Sequence, residues 1–320
     1  NKNRIEQLLM ELVLRPRIKA LVWSGITRQT PNMKIGYPGQ HLASLITGVE
    51  GSRTGARGDD LVDGTEVKSC SRVDQLDSCK KCKEKVLRVE PVCPHCGSTE
   101  LKRMDDSKWL FSVKSIDELK LLTQDLDRIF LMISDYPGFE SNDFDTIRFQ
   151  AFEIWNNSNR HKHFTSLITN YYNKIFTKHI SMNANQTPAP KNFWPYKYQF
   201  YLCNPVKVFE CIISNANTQP KINTTHFIEP DFDRSLLSSE LMPTNLLYED
   251  EINLIIKKVP EVILSPQIIE GSDYKGLVDS SKTKKKFISL LPFINEETRD
   301  YLVLRDTDKV SVSKTKYSRR

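Results

Sequence analysis

Long hydrophobic runs are scarce in this sequence of 320 residues. The longest strongly apolar runs are short, such as IFLMI at 129–133, whereas a helix that spans a membrane needs about 20 apolar residues. The opening segment NKNRIEQLLMELVLRPRIK lacks the apolar core of a signal peptide and has the spacing of an amphipathic helix instead. We therefore expect neither a membrane anchor nor a secretion signal in these residues.

The sequence also lacks a large excess of basic over acidic residues, or of acidic over basic ones. Lys and Arg number 46 against 40 Asp and Glu, which gives a formal net charge of +6. This mild basicity is compatible with a polyanion such as DNA, but an ordinary protein can have the same balance. With 39% hydrophobic and 9% aromatic residues, the chain can form a packed core, and its length fits one large domain or two ordinary ones.

Hydrophobic patterns predict a mixture of helices and strands. The predicted helices lie at 4–23, 39–51, 115–126 (with Ser115 as its cap) and 162–178. The predicted strands lie at 108–113, 128–134 and 146–155, and residues 60–73 read as strand, turn and strand, with Asp63-Gly64 as the turn.

Four of the seven Cys residues stand in two Cys-x-x-Cys pairs. CKKC and CPHC give Cys79, Cys82, Cys93 and Cys96, with ten residues between the pairs. Four thiolates around one tetrahedral ion form a closed structural zinc site. The alternatives are a redox dithiol or disulfides, and neither explains why two pairs stand so close together. We therefore predict a zinc ribbon, buried or incidental thiols for the other three Cys, and a reducing cytoplasm as the location.

The stretch RGDDLVDGTEVKSC at 57–70 crowds four carboxylates and one Lys together. In a strand, the side chains of Glu66 and Lys68 leave the same face. The turn can fold the preceding segment back, so that Asp59 or Asp60 lies beside Glu66. Two such carboxylates can share Mg²⁺, which prefers oxygen ligands and neutralises their repulsion. Lys68 could then orient an attacking water and offset the charge that develops on a phosphate.

A Glu-x-Lys pair alone is a weak indication, because solvated strands often carry one. The alternative interpretation is an exposed hairpin with a charged face and no catalysis. The upstream Asp, the turn, the apolar neighbours and the Arg/Gly-rich segment GSRTGARGDD favour metal-assisted hydrolysis of a phosphodiester.

These residues also carry a family resemblance. GDDLVDGTEVKS resembles the signature of the PD-(D/E)XK nuclease superfamily, with Asp60, Glu66 and Lys68 in the signature positions. The wider run TGARGDDLVDGTEVKSCSRVDQ, followed at once by the four-Cys ribbon, resembles type II restriction endonucleases of the MamI-like family. The resemblance covers residues 36–136 and extends more weakly to 215. The signature Pro before the first Asp is absent, so Asp59 and Asp60 compete for that place, and we favour Asp60.

The resemblance implies an α/β fold of the α+β type, with a restriction-endonuclease-like mixed β-sheet flanked by helices and an inserted zinc ribbon. It also implies Mg²⁺-dependent cleavage of double-stranded DNA at a symmetric site by a homodimer, with a cognate DNA methyltransferase in the same cell. The expected division is a nuclease core with an N-terminal helical region at 1–78 and 105–215, the ribbon at 79–104, and a C-terminal region at 216–320 that contacts DNA or forms the dimer.

Basic and amide side chains supply candidates for DNA contacts. Arg53 and Arg57 can bind phosphates, or pair with nearby Asp side chains instead. In WNNSNRHKH at 155–163, Asn157 and Arg160 can pair with base edges, or serve as polar loop residues. Two other functions stay open at this point, namely a repair or structure-specific nuclease of the same superfamily and a zinc-ribbon DNA-binding protein without catalysis.

Overall fold

The computed structural model describes residues 2–53, 60–183, 187–272 and 283–310. The helices in these ranges are α1 (Lys2–Leu8), α2 (Arg15–Thr27), α3 (Gly36–Thr47), α4 (Ile116–Lys120), α5 (Lys162–Tyr171), α6 (Thr177–Met182), α7 (Tyr198–Leu202), α8 (Glu249–Lys258), α9 (Glu261–Leu264), α10 (Thr283–Leu290), α11 (Glu296–Arg299) and α12 (Asp306–Val310). The strands are β1 (Glu66–Ser71), β2 (Asp77–Cys79), β3 (Lys85–Val86), β4 (Leu101–Lys102), β5 (Trp109–Phe111), β6 (Arg128–Asp135), β7 (Ile147–Trp155), β8 (Lys191–Phe193), β9 (Val206–Ser214), β10 (Lys221–Phe227), β11 (Met242–Pro243) and β12 (Phe293–Ile294). None of the described helices is long and apolar enough to cross a membrane.

The helix predicted at the start of the chain is confirmed. α1, a π-helical segment Leu9–Leu14 and α2 follow one another without a break. The apolar positions Ile5, Leu9 and Val13 are buried on one face of this run. α1 packs against α3 and β10, so the N-terminal helices are part of the folded core rather than an appendage.

The chain divides into two compact units. The first unit consists of Asn1–Trp109, Asp127–Glu153 and Lys207–Arg234, and the second of Leu110–Leu126, Ile154–Val206 and Ser235–Arg320. The domain boundaries expected from the sequence stay a prediction.

A five-stranded sheet in the order β1-β6-β7-β9-β10 forms the centre of the first unit. β1 pairs with β6 in parallel, with Glu66 opposite Ile129, whereas β9 and β10 run antiparallel. β6 is buried at every position, which explains its unbroken apolar run. α1 packs on β10 and α3 on β1. The expected mixed sheet flanked by helices is therefore confirmed, while its assignment to the nuclease fold stays a prediction.

The local secondary-structure predictions are confirmed in part. β6 and β7 lie where strands were predicted, and the Ser115 hydroxyl accepts a hydrogen bond from the Glu118 N–H at 3.1 Å, as a cap of α4 should. The turn before β1 is present, but the strand predicted ahead of it is not. Leu61 makes a single bridge with Gly51 instead.

The second unit is built mainly from helices, with two small sheets in which β5 pairs with β8 and β11 with β12. The rings of Phe111, Phe164 and Phe193 pack edge to face, with centroids 5.2 to 6.0 Å apart. This aromatic cluster explains why β5, the start of α5 and β8 come together in one core.

Candidate active site and metal centre

β1, which lies at one edge of the five-stranded sheet, carries the Glu-x-Lys pair. Glu66 and Lys68 are two residues apart in the strand, so both side chains leave the same face. The Lys68 ammonium contacts Glu66 Oε1, and the two side chains are 28% and 17% exposed respectively. The pair is thus partly buried but still accessible to solvent.

The Asp60 carboxylate lies against the first residues of β1. Its Oδ2 accepts a hydrogen bond from the Val67 N–H at 2.8 Å, and its Oδ1 accepts one from Gln40 Nε2 at 2.5 Å. Because Val67 directly follows Glu66, the first bond places the Asp60 carboxylate one peptide group from the Glu-x-Lys pair. The structure therefore bonds Asp60 to the backbone of the strand that carries Glu66 and Lys68.

The turn between Asp60 and β1 is fixed by a buried Arg. Asp63 Oδ1 accepts the Thr65 N–H at 3.0 Å, which closes the turn locally. Arg128, at the start of β6, donates to Asp63 Oδ2 at 2.8 Å and to the Thr65 hydroxyl at 3.0 Å. The Asp63 carboxylate is therefore engaged in the turn that leads into β1.

The donor set on this edge suits Mg²⁺. Mg²⁺ is usually bound by one or two carboxylates and keeps several waters or substrate oxygens. Asp60 and Glu66 offer two carboxylates, and each oxygen of Asp60 has a second lone pair beyond its hydrogen bond. Among the described residues, no group of three or more carboxylates gathers here at ligand distance. Further ligands would come from water, from DNA, or from residues outside the described ranges.

Two predicted site residues, Asp59 and Arg57, lie outside the described residues. Arg53 is described and exposed. Sequence reasoning missed Gln40 and Arg128, which approach the site from α3 and from β6. No local motif marks either residue, because each contacts a partner distant in the chain.

The four Cys of the ribbon form a second, separate centre. Their sulfur atoms all lie within 4.8 Å of one another. Cys79 Sγ is 3.6 Å from Cys96 Sγ, and Cys82 Sγ is 3.5 Å from Cys93 Sγ. Four sulfurs about 2.3 Å from a tetrahedral zinc ion would stand about 3.8 Å apart. The spacing therefore fits zinc, and all four thiols are free of disulfides.

Both Cys pairs sit on equivalent knuckles. In each, the residue directly after the second Cys has a positive φ, 66° at Lys83 and 67° at Gly97. Its N–H donates to the carbonyl of the first Cys, Lys83 to Cys79 at 3.1 Å and Gly97 to Cys93 at 2.9 Å. This shared geometry makes each Cys-x-x-Cys pair converge on one point, and β2, β3 and β4 form the three-stranded ribbon around it.

Two of the thiols in this cluster of four sulfur atoms, Cys79 and Cys82, have shifted pKa values. The Cys82 N–H bonds to Cys79 Sγ and lowers the pKa of Cys79 to about 6. Although the N–H of Glu84 favours the Cys82 thiolate, burial and the neighbouring sulfurs raise the pKa of Cys82 to about 12. Without a metal ion, the four sulfurs resist being deprotonated together. A bound divalent cation would offset this repulsion, because it binds all four as thiolates.

A buried charge cluster connects the ribbon to the core of the first unit. Asp77 of β2 is fully buried and lies 3.1 Å from Arg88 and 2.7 Å from Arg103. The Arg88 guanidinium also lies over the rings of Phe139 and Phe144, 5.1 and 4.9 Å from their centroids. The remaining three thiols, as predicted, are buried in the units themselves: Cys70, Cys203 and Cys211.

Asn157 and Arg160, predicted to contact bases, make internal bonds within the second unit. Arg160 donates to both carboxylate oxygens of Glu296 at 2.8 Å and to the carbonyls of Ser235 and Leu237 at 2.5 Å. Asn157 donates to the Ser235 carbonyl at 3.1 Å. Both side chains therefore hold this unit together, and their contacts with DNA stay a prediction.

Comparison with known proteins supplies the family. A curated relative, the Type II restriction enzyme MamI of Microbacterium ammoniaphilum, is 33% identical over 73 residues. That match covers 23% of this chain and 24% of the relative, so it spans about a quarter of the relative's length. No solved structure matches the chain. Residues 22–245, more than half of the chain and including Asp60, Glu66, Lys68 and the ribbon, match the sequence model described as MamI restriction endonuclease. The chain therefore belongs to the MamI restriction endonuclease family.

Proposed function

We propose that this protein is a type II restriction endonuclease that hydrolyses phosphodiester bonds of double-stranded DNA at a specific, symmetric site, with Mg²⁺ as its cofactor. Membership of the MamI family supports site-specific cleavage of DNA. The observation that carries the chemistry is the bond between Asp60 Oδ2 and the Val67 N–H, because it joins the upstream Asp to the Glu-x-Lys strand. It supports the proposal that Asp60, Glu66 and Lys68 act as one site, as the resemblance to the PD-(D/E)XK signature implies.

In this proposal, Asp60 and Glu66 hold the ion and Lys68 acts on the reacting phosphate. When bound, Mg²⁺ would activate water and neutralise the phosphate. The Glu66 carboxylate pairs with the Lys68 ammonium and keeps it beside β1. The Lys68 side chain is therefore in place before DNA binds. Lys68 then stabilises the negative charge that grows on the phosphate oxygens and helps to orient the attacking water.

The zinc ion is assigned a structural task. Four thiolates leave no open position on zinc for a substrate, so the ribbon would not take part in the chemistry. The ribbon is inserted in the chain between β1 and β6, which pair in the sheet. A correctly folded ribbon would therefore help to position β1, the strand that carries Glu66 and Lys68. A protein with reduced thiols and a DNA substrate is proposed to work in the cytoplasm, beside a methyltransferase that protects the cell's own sites.

DNA binding is proposed to involve basic residues near the catalytic edge. Arg53 is exposed within seven residues of Asp60, and Arg57 is closer still in sequence. Arg side chains suit phosphate oxygens because they can donate two parallel hydrogen bonds. A homodimer would supply one such edge to each strand of a symmetric site.

Digestion of long duplex DNA of known sequence tests the proposal directly. Purified protein with Mg²⁺ should give a fixed set of discrete fragments, and the same protein with EDTA should give none. A preference for nicked or branched substrates would instead indicate a repair nuclease. Binding without any cleavage would leave only a zinc-ribbon DNA-binding protein and would contradict the proposal.

A further inference from the structure

α3 approaches the catalytic strand unusually closely. A Cβ atom placed on Gly39 would lie 2.0 Å from Ser69 Oγ and 3.1 Å from Ser69 Cβ, so any larger residue there would force Ser69 to move. The helix backbone therefore rests directly on β1. The next residue, Gln40, donates a hydrogen bond from Nε2 to Asp60 Oδ1.

The Gln40–Asp60 contact has a defined direction. A carboxylate can only accept hydrogen bonds, so the side-chain NH₂ of Gln40 must be the group that faces Asp60 Oδ1. The Val67 N–H occupies Oδ2 in the same way, at 2.8 Å. One donor from a helix and one from the strand thus fix the plane of the carboxylate, while a lone pair on each oxygen stays available.

The chemical type of Gln40 suits this task. A Lys or Arg at the same place would neutralise Asp60 and compete with a bound cation. An amide orients the carboxylate without changing the charge of the site. Both residues are only partly buried, so the bond has no evident need as a core contact.

We infer that Gln40 is a positioning residue for the metal ligand Asp60, and that α3 is docked through Gly39 in order to deliver it. This inference rests on the proposed function, because the orientation of Asp60 matters only if Asp60 binds the ion. Gln40 does not touch DNA or metal in this account. It acts by keeping Asp60 in the orientation that the ion needs.

Replacement of Gln40 by Met tests the inference, because Met has a similar length and helix propensity but no donor. We expect Gln40→Met to raise the dissociation constant of Mn²⁺, measured by calorimetry without DNA, by about tenfold or more, the scale of one hydrogen bond to a charged group. The Mg²⁺ concentration for half-maximal cleavage should rise in parallel, while cleavage at saturating Mg²⁺ falls much less. His41→Gln, at the exposed next position of the helix, is the matched control and should behave like wild type.

A double-mutant cycle separates this inference from the proposed function. In an Asp60→Asn background, Gln40→Met should weaken Mn²⁺ binding no further, because the carboxylate that Gln40 is proposed to orient has already been removed. If Asp60→Asn is inactive but Gln40→Met binds Mn²⁺ like wild type, the inference on Gln40 is wrong and the proposed function stands. If Asp60→Asn cleaves DNA at the wild-type rate, the proposed site itself is wrong. Gln40→Asn, whose amide is one methylene too short, gives the same test should Gln40→Met fail to fold.

Discussion

At the scale of single residues, the contacts of Asp60 differ from those of Asp63. Asp60 is held by Val67 and Gln40 beside the Glu-x-Lys pair, and Asp63 is held by Arg128 in the turn. Asp59 lies outside the described residues. A motif alone cannot choose between Asp59 and Asp60, because the signature Pro that would mark the position is absent.

The first prediction separates these two Asp residues. Asp60→Asn keeps the shape of the side chain but removes the charge, so it should abolish Mg²⁺-dependent cleavage. Asp59→Asn should reduce cleavage only mildly. Initial rates of plasmid cleavage for the two variants, compared at the same Mg²⁺ concentration, measure the difference. The reverse order of effects would assign the metal ligand to Asp59.

The second prediction concerns His163 of α5. Burial, and then the nearby Lys162 cation, lower the pKa of His163 from 6.5 to about 4. In the unfolded chain the imidazole takes up a proton below pH 6.5, whereas in the folded chain it does so only below about pH 4. The folded state should therefore lose roughly 2–3 kcal/mol from this group as the pH falls through that window, and none above it.

Denaturant unfolding at several pH values checks the His163 prediction. The dependence of the unfolding free energy on pH between 6.5 and 4 should be less steep for His163→Leu than for wild type. The exposed His41 supplies the matched control, and His41→Gln should keep the wild-type dependence. An unchanged slope in His163→Leu would show that His163 is not held in its neutral form.

At the scale of elements, predictions succeeded where a local pattern determines the structure. Ser115 and Glu118 stand three residues apart, and α4 begins at that cap. The alternation in 146–155 and the apolar run in 128–134 became β7 and β6. The strand expected before the turn is absent: within the described residues Leu61 makes one isolated bridge, with Gly51, and the Asp60 side chain bonds Val67 and Gln40. Such long-range pairing leaves no periodic signal in the sequence.

The third prediction concerns the ribbon as an element. Its core consists mainly of the Cys side chains themselves, with Val86 and Leu101 packed beside them. So small a core cannot hold three short strands without the ion. Cys93→Ser should therefore lose zinc and either aggregate or melt at a lower temperature. Zinc content by atomic absorption and a thermal melt measure both effects, and a zinc-free variant that melts like wild type would refute the structural assignment.

At the scale of the whole molecule, the order of the sheet could not be predicted from patterns. β1 and β6 are neighbours although the entire ribbon and α4 lie between them in the chain. Their pairing depends on contacts such as that between Arg128 and Asp63, which are 65 residues apart. The family resemblance implied a mixed sheet, but the contacts of Gln40 and Arg128 with Asp60 and Asp63, beside the proposed site, emerge only from the fold.

The fourth prediction concerns assembly. A symmetric duplex presents two equivalent scissile phosphates, and a twofold dimer would place one catalytic edge on each. We expect sedimentation equilibrium to give twice the monomer mass of 37.0 kDa, and two protein copies per specific duplex. A monomer in solution that also binds its site as a single copy would contradict the dimer.

The central claim is that Glu66 and Lys68 carry out phosphodiester chemistry, and single-turnover cleavage with parallel gel-shift binding tests it most directly. Glu66→Ala should lose nearly all cleavage but keep its affinity for DNA, because binding draws on many phosphate contacts. Lys68→Ala should also bind, but cleave at least about a hundredfold more slowly, the order expected on losing one electrostatic contact to the transition state. Lys221→Ala, an exposed Lys at the opposite edge of the sheet, should cleave like wild type. Wild-type cleavage by either Glu66→Ala or Lys68→Ala would contradict the account and leave β1 as a charged strand without catalysis.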